Sequence, residues 1–270
     1  MKLNNKYVEQ ILTGFLYDET HRIGMSKAVI GLSGGIDSAV SAVLAARAFG
    51  PENVHCILMP HKVSSKESIT HAELLVDQLG VHSEIVDITS MTDAYTGTNG
   101  DLSLLRKGNV MARMRMIVLY DKSAELNALV IGTSNKTELL LGYSTIFGDS
   151  ASAINPIGDL YKTQLRDLAR HLDIPQEIIN KKPSADLWAG QTDEGELGFT
   201  YEEVDQYLFQ KVDERRSEDE LRKMGFDEKF MTRIDNLIKR NQFKRLPPLI
   251  AKLSARTINI DFRYNRDWNT

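Results

Sequence analysis

The chain is poor in the residues that staple small folds or hold soft metals. It has a single cysteine in 270 residues, Cys56, so no internal disulfide can form. Six histidines are scattered at 21, 55, 61, 71, 82 and 171, and none pairs at zinc-ligand spacing with another histidine or a cysteine. No apolar run reaches eighteen residues, so no membrane-spanning helix is expected. The first residues carry no signal-peptide core. A cytoplasmic protein with no membrane partner is the expectation, with Cys56 as a small buried hydrophobe. Internal repeats and low-complexity tracts are also missing. Net charge is only −4, which does not suggest nucleic acid as the main partner.

The charge that exists is unevenly spread. Arg222 to Arg256 holds ten Lys/Arg against three Asp/Glu, while Asp186 to Glu220 holds twelve acids against three bases. An anionic ligand or an acidic neighbouring surface meeting the basic segment, or two solvated helix faces of opposite sign, would account for this.

What is present is a regular alternation. An amphipathic helix is expected over 4–20, with Val8, Ile11, Leu12, Phe15 and Leu16 on one side. Short apolar runs at 27–32, 54–59, 82–87 and 128–131 read as strands. Helical patterns at 39–49, 65–79 and about 102–121 separate them. The spacing implies an α/β fold, a Rossmann-like doubly wound parallel sheet with helices on both faces. After about residue 155 helices dominate, giving a helical C-terminal part. The first and fourth strands should be neighbours at the switch point, where such sheets bind ligands. The Gly/Asp-rich stretches 143–152 and 185–198 read as candidate lids.

Between the first strand and its helix lies Gly31-Leu32-Ser33-Gly34-Gly35-Ile36-Asp37-Ser38. Glycines let a backbone approach an anion, and the following helix start offers free N–H groups. No Gly-Lys-Ser/Thr follows, so this is not a Walker A loop, and GxGxxG spacing is missing too. Asp37 instead puts a carboxylate inside the anion cradle, which is reasonable if Mg²⁺ lies between it and a phosphate. The alternative is a tight turn capped by Ser33, with Asp37 placed for the helix dipole.

The string resembles the signature of the PP-loop ATP pyrophosphatase superfamily. Members cleave ATP between the α and β phosphates to adenylate a substrate. Further strings narrow the resemblance: Gly132-Thr133-Ser134-Asn135-Lys136-Thr137-Glu138, Gly142 to Asp149, Asn155 to Lys162, Pro183 to Trp188, Gln191 to Glu194 and Tyr201 to Asp205. In this order they resemble NAD synthetase, and the likeness runs from the N-terminal helix to Lys244. It implies one domain over 1–270. The nucleotide-binding core would span about 22–183 and the helical part about 199–256, with no glutaminase domain.

The resemblance also implies substrates and roles. ATP, deamido-NAD and ammonia would be the substrates, with Mg²⁺ as cofactor and a homodimer holding deamido-NAD at its interface. ATP would be bound by Gly31, Leu32, Ser33, Gly34, Gly35, Ile36, Asp37 and Ser38, with Thr133, Lys162 and Ser184. Asp37 and Glu138 would hold the metal, and Arg113, Phe243 and Lys244 the deamido-NAD. Lys162 would bind ATP phosphate, and Asp149 is the candidate for taking the proton from ammonium; taken alone, Asp149 could equally form a turn. Arg113 and Arg115 cannot share a helix face, so one should face ligand and the other solvent or the dimer partner. Phe243 stands where part of the family has histidine. Ile146 and Ala153 stand where some relatives carry a substrate-contacting lysine and aspartate. Another PP-loop adenylating enzyme and a non-catalytic nucleotide binder are the competing readings. A basic domain or extra cysteines would favour the first, and loss of Asp37, Glu138 or Lys162 the second.

Overall fold

The computed structural model describes residues 1–258 apart from Ala189 and Pro247. Four parallel strands form the sheet: β1 (Ala28–Gly31), β2 (Val54–Leu58), β3 (His82–Ile85) and β4 (Leu129–Val130), in the order β3-β2-β1-β4. Ala28 pairs with Val54 on one side and Leu129 on the other. The first and fourth strands are therefore adjacent, as the doubly wound topology requires. A parallel bridge between Ile131 and Ile154 extends the sheet past β4. β3 is an edge strand exposed along its length, which explains its weak apolar pattern.

Alternation along the strands builds two cores. Ile30, Cys56 and Leu58 point to one face. There they meet α2 (Ile36–Phe49), α3 (Lys66–Leu79), α7 (Lys162–His171) and α8 (Gln176–Asn180), with α1 (Asn5–Arg22) outside them. Val29, Ile57 and Val130 point to the other face and meet α5 (Leu104–Leu126) through Met111 and Val118. α2 is apolar nearly all round and almost entirely buried, as a helix in the middle of a layer must be. Among the described residues no helix is long and apolar enough to cross a membrane.

A third apolar cluster joins α6 (Lys136–Leu141) to the C-terminal helices through Leu141, Phe199, Tyr201, Val204, Tyr207, Met231 and Ile234. Those helices are α9 (Asp193–Leu197), α10 (Tyr201–Leu208), α11 (Glu218–Lys223), α12 (Glu228–Arg240) and α13 (Gln242–Arg245). Boundaries depart from the sequence expectation by a few residues. α5 runs to Leu126 rather than 121 because Asn127 closes it in the left-handed conformation (φ 50°). One helix, α4 (Thr89–Thr96), was not expected, because its run is polar and only Thr92 is buried.

Candidate active site

A cleft of about 510 Å³ opens at the C-terminal ends of the strands. Its floor is the turn between β1 and α2. The helix N-cap is Gly35, which offers no side chain to the first-turn N–H groups. Ser33 is not the cap: its Oγ accepts only from Gly35 N–H, at 3.3 Å, and pairs with Ser38 Oγ at 3.0 Å. Ser38 Oγ donates to Gly35 O at 3.0 Å and accepts from Ser33 N–H at 3.2 Å, which holds the loop in shape. The uncapped N–H groups of α2 thus remain available to an anion. Gly34 has φ 71°, and a Cβ there would lie 2.0 Å from Ser68 O on α3. Only glycine lets the loop press against that helix.

On the wall stand Asp37, Glu138 and Lys162. Lys162 Nζ donates to Asp37 Oδ2 at 2.5 Å and to Glu138 Oε1 at 3.3 Å. Asn135 Nδ2 donates to the other Asp37 oxygen at 2.8 Å, and Asn135 and Glu138 close a capping box at the start of α6. Lys162 is the first residue of α7, where the dipole disfavours a cation. Burial also works against its ammonium, yet Asp37 and Glu138 outweigh both and hold its pKa above the ordinary lysine range. Burial pushes the Glu138 carboxyl up; Lys162 opposes this and Asp37 and Asp193 add to it, and the net direction is up. Asp193 is likewise raised by burial, against Lys162 and the Tyr201 hydroxyl. Three carboxyl groups gather around one lysine on the cleft wall, an excess of acidic groups over cations. A divalent cation would relieve it, and oxygen donors of this kind suit Mg²⁺. No cluster of three or more acids, histidines or cysteines with metal-holding geometry occurs among the described residues. Two carboxylates would therefore need phosphate and water to complete a Mg²⁺ shell, which is how Mg²⁺ is commonly bound.

The two Gly/Asp-rich stretches form the opposite side. Asp186 accepts from Ser65 N–H at 2.9 Å and from Ser68 Oγ at 2.9 Å, tying the second stretch to the start of α3. Ser184 Oγ, facing the cleft, accepts from Asp186 N–H at 3.1 Å. Tyr143 OH donates to Glu196 at 2.6 Å and links the first stretch to α9. Asp149 Oδ1 accepts from Thr145 N–H at 2.7 Å, so it shapes a turn while lining the cleft. Water reaches this carboxyl, but the crowding of protein around it raises its pKa, against Thr145 N–H, Lys244 and Arg115. Lys244 Nζ donates to Gly142 O and Ser144 O, both at 2.6 Å.

The cleft brings together most residues singled out from the sequence: Thr133, Glu138, Asp149, Lys162, Ser184, Lys244 and the 31–38 loop apart from Gly34. Arg113 and Phe243 lie outside it. Arg113 is exposed and donates to Ile146 O at 3.3 Å, and Phe243 is 57% exposed. Of the two arginines, Arg115 is the one in the cleft, with Nε on Met59 O at 3.1 Å. Sequence reasoning gave no role to Arg115's partner carbonyl, Asn135, Asp193, Glu196 or Asp186. Asp193 and Asp186 sit inside strings already singled out, which was the available signal.

The comparisons agree with this geometry. A family model described as NAD synthase matches residues 8–248. An NH(3)-dependent NAD(+) synthetase of Chlorobaculum tepidum is 58% identical over 261 residues, covering 97% of this chain and 94% of that protein. Among solved structures, NMN synthetase from Francisella tularensis superposes with a TM-score of 0.83 at 35% identity, covering 93% of this chain and 99% of that one. NH3-dependent NAD synthetase from Campylobacter jejuni, in complex with the nitrate ion, gives 0.79 at 36%, covering 93% and 100%.

Proposed function

The chain belongs to the NAD synthase family, and we propose that it amidates deamido-NAD to NAD with ammonia at the expense of ATP. The observation that carries this reading is the contact of Lys162 with both Asp37 and Glu138 beside an uncapped anion loop. A carboxylate does not condense with ammonia in water near neutrality, so it must be activated. The deamido-NAD carboxylate oxygen attacks the ATP α-phosphorus and pyrophosphate leaves. Ammonia then attacks the acyl carbon, the acyl–oxygen bond breaks, and AMP departs.

The residues divide this work by their chemistry. The uncapped N–H groups at the start of α2, in the loop from Ser33 to Ser38, would hold the phosphates as charge moves onto the leaving pyrophosphate. Asp37 and Glu138 would hold Mg²⁺, which when bound would neutralise phosphate charge. Lys162 supplies a fixed positive charge on the same wall. Thr133 and Ser184 offer hydroxyls toward ATP from strand and loop ends. Asp149, kept in the cleft by Thr145, is suited to bind ammonium and take its proton before attack. Lys244, beside Asp149, and the exposed Arg113 and Phe243 are assigned to deamido-NAD.

Arg113 and Phe243 fit that role best at an interface between two copies of the chain. Exposed apolar residues on α1 (Tyr7, Ile11) and α5 (Leu104, Leu105, Ile117) support the homodimer. A cytoplasmic location, one domain over 1–270 and a core of about 22–183 followed by a helical part of about 199–256 complete the reading.

The test is NAD formation from deamido-NAD, Mg-ATP and ammonium chloride, following AMP and pyrophosphate in the same tube. Equal yields of the three products support the scheme. Nicotinic acid mononucleotide belongs in the same experiment, since one structural neighbour is an NMN synthetase. A preference for the mononucleotide would change the substrate, and AMP without either product would leave only the ATP chemistry.

A further inference from the structure

α7 begins without a side-chain cap. Its N-cap residue is Tyr161, where Ser, Thr, Asp or Asn is usual; Tyr161 N–H donates to Gln164 Oε1 at 3.0 Å, while the Tyr161 hydroxyl donates to Asp213. The first-turn N–H donors are met from other elements. Lys162 N–H donates to Thr137 Oγ1 at 3.1 Å, and Thr163 N–H donates to Asp205 Oδ2 at 2.8 Å. The Thr163 hydroxyl donates to the same oxygen at 2.8 Å, and the Thr137 hydroxyl donates to Asp205 Oδ1 at 2.5 Å.

Asp205 has no exposed surface and does not line the cleft. It stands on α10 between Val204 and the buried pair Tyr207 and Leu208, which belong to the C-terminal apolar cluster. A carboxylate there is a poor choice for packing, because an apolar side chain would avoid the desolvation cost. Its three donor contacts come from the hydroxyls of Thr137 and Thr163 and from the Thr163 backbone N–H, and Thr137 in turn accepts from Lys162 N–H. Thr137 immediately precedes Glu138, and Thr163 immediately follows Lys162. One carboxylate from the C-terminal helices thus fixes the separation of the two backbones that carry this pair.

We propose that Asp205 is a positioning residue that holds the first turns of α6 and α7 in one register, setting Glu138 against Lys162 and so the geometry that receives Mg-ATP. The inference rests on the reading of Asp37, Glu138 and Lys162 as the Mg-ATP site. Outer groups of this kind set affinity through the groups they orient, typically by about 10- to 100-fold.

The test combines calorimetric Mg-ATP binding with steady-state kinetics on Asp205→Asn, Thr163→Val and Thr163→Ser. In Asp205→Asn, Mg-ATP affinity should weaken by about 10- to 100-fold, while KM for ammonium stays unchanged. Thr163→Ser keeps the hydroxyl and should bind as the parent does; Thr163→Val should bind more weakly. A folded Asp205→Asn with parental Mg-ATP affinity overturns the proposal. So does an equal rise in KM for all three substrates, which marks general loss of structure. Should Asp205→Asn fail to fold, the threonine pair decides, and equal affinities for Val and Ser overturn it. If the parent binds Mg-ATP but makes no NAD, the functional reading fails while the binding series still judges Asp205. A parent that does not bind Mg-ATP overturns both.

Discussion

Lys162 Nζ lies 2.5 Å from Asp37 Oδ2, although the two residues are 125 positions apart in the chain. With Glu138 they form a triad in which the buried lysine is the donor shared by two part-exposed carboxylates. Lys162→Met keeps the length of the side chain and removes the charge. Turnover should fall by about 10²- to 10³-fold, the usual cost of removing one transition-state donor. Stability should fall, because two part-exposed carboxylates lose the cation to which both are bonded. Urea unfolding and kcat measure the two effects separately. An unchanged urea midpoint would show that the triad contributes nothing to the fold.

The loop between β1 and α2 holds two kinds of glycine. Gly34→Ala places a Cβ 2.0 Å from Ser68 O in a left-handed conformation, so the loop must move. The backbone strain alone is about 1–2 kcal/mol. At Gly35 the nearest atom to a new Cβ is Ser33 Oγ, at 3.4 Å, an ordinary contact. Gly34→Ala should lower both the melting temperature and ATP affinity. Gly35→Ala should keep the melting temperature and lose ATP affinity, since its methyl enters the space kept for phosphate. Equal melting temperatures for the two variants would refute the distinction.

Cys56 cannot serve as a nucleophile for glutamine. Its side chain is buried on β2, and burial pushes the thiol up to about 12. Purified protein should therefore turn over with ammonium and not with glutamine, and comparable rates with both would contradict this. The linkage has a definite sign. An unfolded thiol ionises near about 8.5, while the native one stays protonated to higher pH. Between that point and about 12 the native state holds more protons, so stability falls as pH rises. Cys56→Ser or Cys56→Ala should lose this component of the alkaline decline, read as the unfolding midpoint at pH 8 and pH 10.

Asp149 should govern the acid side of the rate profile. Its raised pKa keeps it protonated past the pH at which a free carboxyl ionises, and only the ionised form can take a proton from ammonium. Activity at fixed ammonium should drop as pH falls through this raised value. In Asp149→Asn turnover should fall, the residual rate should lack that limb, and adenylate formation should remain. Comparing both proteins at each pH cancels the changing supply of free ammonia. An unaltered ammonia dependence in the variant would remove Asp149 from the chemistry.

Local features and the neighbouring of the first and fourth strands were legible in the sequence, and side-chain ties between distant elements were not. The turn from β1 to α2 could be read because a strand, two glycines and a helix start lie within a dozen residues. The pairing of β1 with β4 followed from the alternation of strands and helices. Residue spacing separated Arg113 from Arg115 but could not say which enters the cleft, because that depends on the rotation of α5 against the sheet. The ties from Asp186 to Ser68 and from Asp205 to Thr137 were invisible for the same reason: each joins elements that meet only after packing. α4 escaped notice because polar residues supply most of its length.

The strand order also has a consequence for how the protein is made. β1 lies between β2 and β4, and residue 129 must be synthesised before the second flank of β1 can be covered. Until then an apolar strand shows an open row of amide and carbonyl groups, which is a template for association between nascent chains. The wait extends to residue 162, when Asp37 first meets its lysine. Contacts this far apart in sequence slow folding through the loop that must close. The ribosome-bound first half of the chain is thus the stage most dependent on protection from its neighbours, well before any nucleotide can be bound.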